Sequence, residues 1–96
     1  MNIIYLHGFR SNASSVKGQQ LKRYCEAHCP SDSVHLPDLN MPPLEALAQV
    51  AGYIQSLENV VLVGSSLGGF YATHLALQYA CPAVLINPAV HPYALF

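Results

Sequence analysis

No lysine or arginine follows Arg23 in this sequence, and no aspartate or glutamate follows Glu58. Charged residues fill only 9% of the 96 positions, while 52% are hydrophobic. An average soluble domain carries charge at about a quarter of its residues. So apolar a composition excludes intrinsic disorder, which needs low hydrophobicity and high charge. A soluble surface ordinarily carries charges of both signs, so Asn59 to Phe96 reads as interior sequence of a larger protein without its outer layers. It does not read as a membrane span, because Gly64, Gly68, Gly69, Pro82, Pro88 and Pro92 interrupt it. With a formal net charge of −1, nothing points to a nucleic-acid surface or an anionic membrane.

Cysteine is scarce as well. Cys25, Cys29 and Cys81 are odd in number and show no CxxC spacing, which fits reduced thiols in a cytoplasmic protein. The amino-terminal apolar run, Ile3 to Leu6, has no basic residue before it and is too short for the hydrophobic region of a signal peptide. The length suits one small domain with a limited core.

Four apolar runs alternate with three helical patterns. Asn2–Leu6 is short, rich in strand formers and ends at His7-Gly8. From Ser15 to about His28, apolar groups at Val16, Leu21, Tyr24, Cys25 and His28 follow a helical period, and Pro30 stops it. Ser33–Leu36 is a weaker strand before the loop Pro37-Asp38-Leu39-Asn40. Pro42-Pro43 opens a second helix, where a missing N–H costs nothing; Leu44, Leu47, Ala51, Ile54 and Leu57 form its expected buried stripe. Val60–Val63 is the clearest strand, a continuous apolar run of the kind found inside parallel sheets. A third helix is expected from about Leu67 to Tyr79, with Tyr71, Leu75 and Tyr79 as a packing stripe. Ala83–Ile86 is the last buried-type strand. This rhythm predicts an α/β fold, a three-layer αβα arrangement around a parallel sheet with right-handed crossovers.

Directly after the clearest strand comes Gly64-Ser65-Ser66-Leu67-Gly68, a GxSxG motif, with a helix behind it. A nucleophilic serine at such a strand-to-helix turn needs very small residues two positions before and two after it. The turn lifts the Ser66 hydroxyl above the carboxyl edge of the sheet and leaves the Leu67 N–H at the positive end of a helix. Glycine and serine also occur in ordinary or phosphate-binding turns, but no lysine lies near the motif to complete a P-loop. His7-Gly8-Phe9-Arg10 follows the first strand. In that position an HG pair turns the chain so that the Phe9 N–H faces the nucleophile. His7 is expected to shape this loop by hydrogen bonding, not to act as the base.

Ile4-Tyr5-Leu6-His7-Gly8-Phe9, Val63-Gly64-Ser65-Ser66-Leu67-Gly68-Gly69-Phe70-Tyr71-Ala72-Thr73 and Ile86-Asn87-Pro88-Ala89-Val90 closely resemble the YqiA-like esterase family of bacterial α/β hydrolases. The resemblance runs the whole length and covers about the first half of such a protein. It implies that residues 1–96 are the amino-terminal part of a single α/β-hydrolase domain, truncated after four strands in the order 2-1-3-4. It also implies hydrolysis of small, short-acyl carboxylic esters without a cofactor. Ser66 takes the nucleophile's place, the N–H groups of Phe9 and Leu67 the oxyanion hole, and His7, Gly8, Gly64 and Gly68 the supporting motif positions. The acid and base do not carry over, because in this fold they follow the serine and no carboxylate does so here.

Substitutes for them are poor. His74 lies eight residues past Ser66, ~12 Å along a helix, whereas proton transfer needs about 3 Å. His91 follows the last strand and lacks an orienting carboxylate, and Asp38 reads as a turn former. The chain by itself is therefore expected to be inactive or nearly so. Cys25, His28 and Cys29 share one helix without a fourth partner, so no metal site is expected. The open edge of the last strand is expected to drive self-association. The alternative to an ester hydrolase is a non-catalytic remnant serving as a structural or partner-binding module; a thioesterase would share every residue named.

Overall fold

A computed structural model describes residues 1–7 and 16–88. Seven elements alternate along them: β1 (Asn2–Leu6), α1 (Val16–His28), β2 (Ser33–His35), α2 (Pro43–Ser56), β3 (Val60–Ser66), α3 (Leu67–Tyr79) and β4 (Ala83–Pro88). The strands form one sheet in the order β2-β1-β3-β4, and every neighbouring pair is parallel. This is the expected topology, with β3 and β4 running further than their apolar cores indicated.

Side chains alternate across a strand, and that alternation builds the layers. Ile4 and Leu6 of β1 join Val60 and Leu62 of β3 in one buried cluster, with Ala46 and Val50 of α2 and Tyr71, Ala72 and Leu75 of α3. The Tyr71–Leu75–Tyr79 stripe is thus a packing stripe, Tyr79 lying half-buried at its end. On the other side of the sheet, α1 packs against β2, and Gly18 and Cys25 of α1 are buried.

The α2 stripe differs from expectation. Leu44 is 82% exposed, while Ala46 and Val50 are the fully buried residues and Leu47, Ala51, Ile54 and Leu57 are half-buried. At about 100° per residue, Leu44 points almost opposite Ala46. Hydrophobic pattern weights large side chains, but α2 touches α3, and close helix contact favours small ones.

Two non-glycine residues in the described part have positive φ, Asn59 (52°) and Ala80 (54°). Asparagine tolerates this left-handed conformation; alanine does not, and Ala80 ends α3 in it. Ala80→Gly removes about 1–2 kcal/mol of strain and adds roughly 0.5–1 kcal/mol of unfolded-state entropy. A net gain of about 0.5–1 kcal/mol should raise Tm by roughly 2–8 °C in a domain this small, measured by thermal melting. An unchanged or lower Tm would contradict the strain at Ala80.

Candidate active site

β3 passes into α3 with no residue between them, Ser66 ending the strand and Leu67 opening the helix. So abrupt a turn forces the strand end and first helical turn into contact, and two glycines make the contact possible. A Cβ on Gly64 would meet the Gly68 carbonyl oxygen, with the Gly68 carbonyl carbon at 2.6 Å and the Gly69 Cα at 2.7 Å. A Cβ on Gly68 would meet the Leu6 carbonyl oxygen, with the Leu6 carbonyl carbon at 2.6 Å and the His7 oxygen at 2.8 Å. The GxSxG spacing therefore does two jobs: one glycine lets the turn close on itself, the other lets it press against the end of β1.

That second contact brings the two sequence motifs together. Leu6 pairs with Gly64 across the β1–β3 ladder, so His7 leaves the sheet beside Ser65, one strand spacing (about 4.8 Å) away. On the other flank, Ser65 pairs with Ile86 and Ser66 with Pro88, a register shift falling between the two serines. Such irregularities bend a strand and re-aim what it carries. The Leu67 N–H belongs to the first turn of α3, where amides have no acceptor within the helix and carry its positive partial charge. Gly8 and Phe9, expected to shape and complete an oxyanion hole, lie outside the described residues, as does His91.

His7 is 3% exposed. Its Nε2 accepts the backbone N–H of Leu39 at 2.8 Å, which ties the end of β1 to the loop after β2. Asp38 Oδ1 lies 3.6 Å from the same nitrogen, too far for a hydrogen bond. The Leu39 amide is the closer partner of that nitrogen. Asp38 instead caps its own turn, Oδ1 accepting the Asn40 N–H at 3.0 Å. The His7–Leu39 bond spans 32 residues, so nothing local in the sequence signals it.

Two thiols and one phenol elsewhere in the described part are shifted by burial. Burial pushes the Cys25 thiol above its ordinary 9.0, with the nearby Cys29 and Asp32 adding to the rise. Burial also pushes Cys81 up, against a smaller opposing effect of a backbone hydrogen bond, and raises the Tyr71 phenol. Neutral, buried thiols are poor nucleophiles. His74 is exposed two turns along α3. Among the described residues, no three His, Cys, Asp or Glu side chains converge as a metal site. Nor is any helix among them long and apolar enough to cross a membrane. An open depression of about 250 Å³, lined by Lys22, Cys25, Glu26, Asp32, Ser33 and Val34, lies at the amino edge of β2, away from the GxSxG turn.

The model of the uncharacterised protein family UPF0227 matches residues 2–96. The chain belongs to this family, the YqiA-like esterases. Among solved structures it is similar to an extracellular alpha/beta-hydrolase from a Paenibacillus species, described as sharing structural and functional homology with tobacco salicylic acid binding protein 2. The TM-score is 0.67 at 19% identity, over 92% of this chain and 40% of that one. At that identity the likeness shows a shared α/β-hydrolase fold. This YqiA-like chain thus spans well under two thirds of its structural neighbour.

Proposed function

We propose that this YqiA-like chain carries the nucleophile of a serine hydrolase acting on small, short-acyl carboxylic esters. Ser66 is the nucleophile, and the N–H groups of Phe9 and Leu67 form the oxyanion hole. His7, Gly8, Gly64 and Gly68 shape the two turns, and no cofactor takes part. Residues 1–96 are the amino-terminal part of one α/β-hydrolase domain, and the free thiols Cys25, Cys29 and Cys81 favour a cytoplasmic setting. The observation that supports the reading is the close backbone approach of Gly68 to Leu6 and His7, which brings the GxSxG turn against the end of β1, directly before Gly8-Phe9 in the sequence.

The acid and base would have to come from beyond these residues, since no carboxylate follows Glu58. Loss of the catalytic His alone costs about 2 × 10⁶ in kcat in subtilisin, roughly 8–9 kcal/mol. An oxyanion hole with substrate binding leaves about 10³–10⁴ over water. The pure chain should therefore react slowly with a fluorophosphonate probe, selectively at Ser66 by peptide mass spectrometry. It should hydrolyse p-nitrophenyl acetate far below ordinary esterase rates, and Ser66→Ala should remove the labelling. Labelling spread evenly over the serines would sink the nucleophile assignment; Ser66-dependent turnover at ordinary rates would sink the missing-base argument.

A second reading, a partner-binding module without catalysis, is favoured by one feature. Val84, Leu85 and Ile86 of the edge strand β4 are 54%, 43% and 36% exposed. A strand apolar on both faces, with no further strand beside it among the described residues, is a docking surface for another strand.

A further inference from the structure

We infer that Cys25 and Cys29 are a reversible disulfide pair, closed by exchange with a small-molecule disulfide, that alters the corner where α1 turns into β2. The inference is independent of the Ser66 reading. Its first support is local geometry. The Cys29 N–H donates to the Cys25 carbonyl at 2.8 Å, so the helical ladder runs through both residues and their side chains lie one turn apart on one face. Two Cα atoms one turn apart stand roughly 6 Å from each other, within the span of about 4.4–6.8 Å found across disulfides. Burial raises the Cys25 thiol and Cys29 adds to that rise, an influence that requires the two sulfurs to be close. The second support is the seclusion of the remaining thiol. All three cysteines are free, but Cys81 packs against the main core cluster with α2 and α3. Right-handed crossovers from β1 to β2 and from β2 to β3 run in opposite directions along the sheet, which puts α1 on the other face. Of the three pairings, Cys25 with Cys29 is the one the fold permits.

Access orders the chemistry. Cys29 is half-buried, while Cys25 is 5% exposed and lines the open depression of about 250 Å³ beside Asp32 and Ser33. The Cys29 thiolate therefore attacks one sulfur of the small disulfide first, forming a mixed disulfide and releasing one small thiol. Cys25 then gives its proton to solvent and attacks the Cys29 sulfur, releasing the second. Two protein thiols are oxidised and one small disulfide is reduced. Cys25 is a poor nucleophile for a free reagent, but one turn from Cys29 its attack is intramolecular. Closure also moves the chain. Cβ atoms one turn apart stand about 5–6 Å from each other, whereas a bridge needs about 3.5–4.5 Å. Cys29 can yield, because α1 ends at His28 and Pro30 cannot continue the helix. Its carbonyl accepts the Asp32 N–H at 2.9 Å, immediately before β2, so that turn takes up the displacement. A bridge that bends its surroundings is readily reduced, which makes the closure reversible.

The test treats the 96-residue chain with oxidised glutathione and maps the products by mass spectrometry without reductant. Cleavage after Glu26 falls between the two cysteines, so a bridged product appears as two fragments held together, which dithiothreitol separates. The expected product carries this bridge with Cys81 still free, and Cys81→Ser leaves it unchanged. Cys29→Ser should slow the reaction of Cys25 with oxidised glutathione at least about tenfold, because the buried thiol then meets the reagent alone. In the bridged chain, hydrogen exchange of the Asp32 amide should quicken about tenfold, and dithiothreitol should restore it. A lasting glutathione adduct on Cys29 with Cys25 free, a bridge to Cys81, or a dimer joined through cysteine overturns the pair. So does a Cys25–Cys29 bridge that forms only in urea. Unchanged exchange at Asp32 overturns the effect on the α1–β2 corner. Should Cys29→Ser not fold, the wild-type fragment map and the Asp32 amide decide both points.

Discussion

Gly68→Ala should cost the chain at least about 3 kcal/mol, and Gly52→Ala should stabilise it, although the two substitutions add the same methyl group. The methyl on Gly68 lands on the carbonyl groups of Leu6 and His7, backbone atoms at 2.6 and 2.8 Å and one closer still. Backbone cannot rotate aside as a side chain does, so β1 and α3 must separate, opening the contact that buries Leu6 and Leu62 at 0% exposure. Overpacking typically costs 1–3 kcal/mol, and a clash with main chain on both sides belongs at or beyond that upper end. A domain of 96 residues has about 5–14 kcal/mol of total stability, so the loss is a large share of it. Gly52, inside α2, has nothing within 4 Å of the added methyl. There alanine gains about 0.5–1 kcal/mol of helix propensity. Urea unfolding monitored by circular dichroism measures both midpoints. Midpoints that move in the same direction would show that the Gly68 contact is not the constraint argued here.

Self-association through β4 should vanish in the double variant Val84→Lys, Ile86→Lys. β4 lies at the end of the sheet order. Val84 pairs with Val63 and Ile86 with Ser65, which puts both side chains on the α1 side of the sheet, next to half-buried Val61 and Val63. Leu85 is exposed on the opposite side. Each large apolar side chain left in water forgoes about 1.5–3 kcal/mol, and a strand edge with no neighbour among the described residues is a template for another strand. No charged residue occurs from Asn59 onward to oppose that approach. Two lysines on one face supply it, as natural edge strands do. Light scattering after size-exclusion chromatography should show the wild type as dimers or larger species and the double variant as a monomer. A compact wild-type monomer at high micromolar concentration would refute the docking role of this edge.

Much of this architecture was open to reading along the chain, because its signals are local. Val60–Val63 is a continuous apolar run and β3 begins there; Pro42-Pro43 announces α2; the alternation of strand and helix leaves few topologies, and the parallel 2-1-3-4 order is the one formed. The two motifs at His7-Gly8 and Gly64–Gly68 were likewise legible, since each sits at the end of a recognisable strand. The face of α2 was not. Hydropathy ranks Leu44 above Ala46, while packing against α3 selects the smaller residue. The strain at Ala80 was hidden for a related reason, since alanine gives no warning of a left-handed helix end.

By itself the sequence determined the order of elements, the parallel sheet and the position of a serine at a strand-to-helix turn. Periodicity, proline and glycine act over a few residues, and those features need nothing more. Only the tertiary structure decided that Gly68 presses on the end of β1 and that the Leu39 amide reaches His7. Both contacts join segments more than thirty residues apart, and such partners are set by how the sheet and its helices close together, which no local pattern encodes.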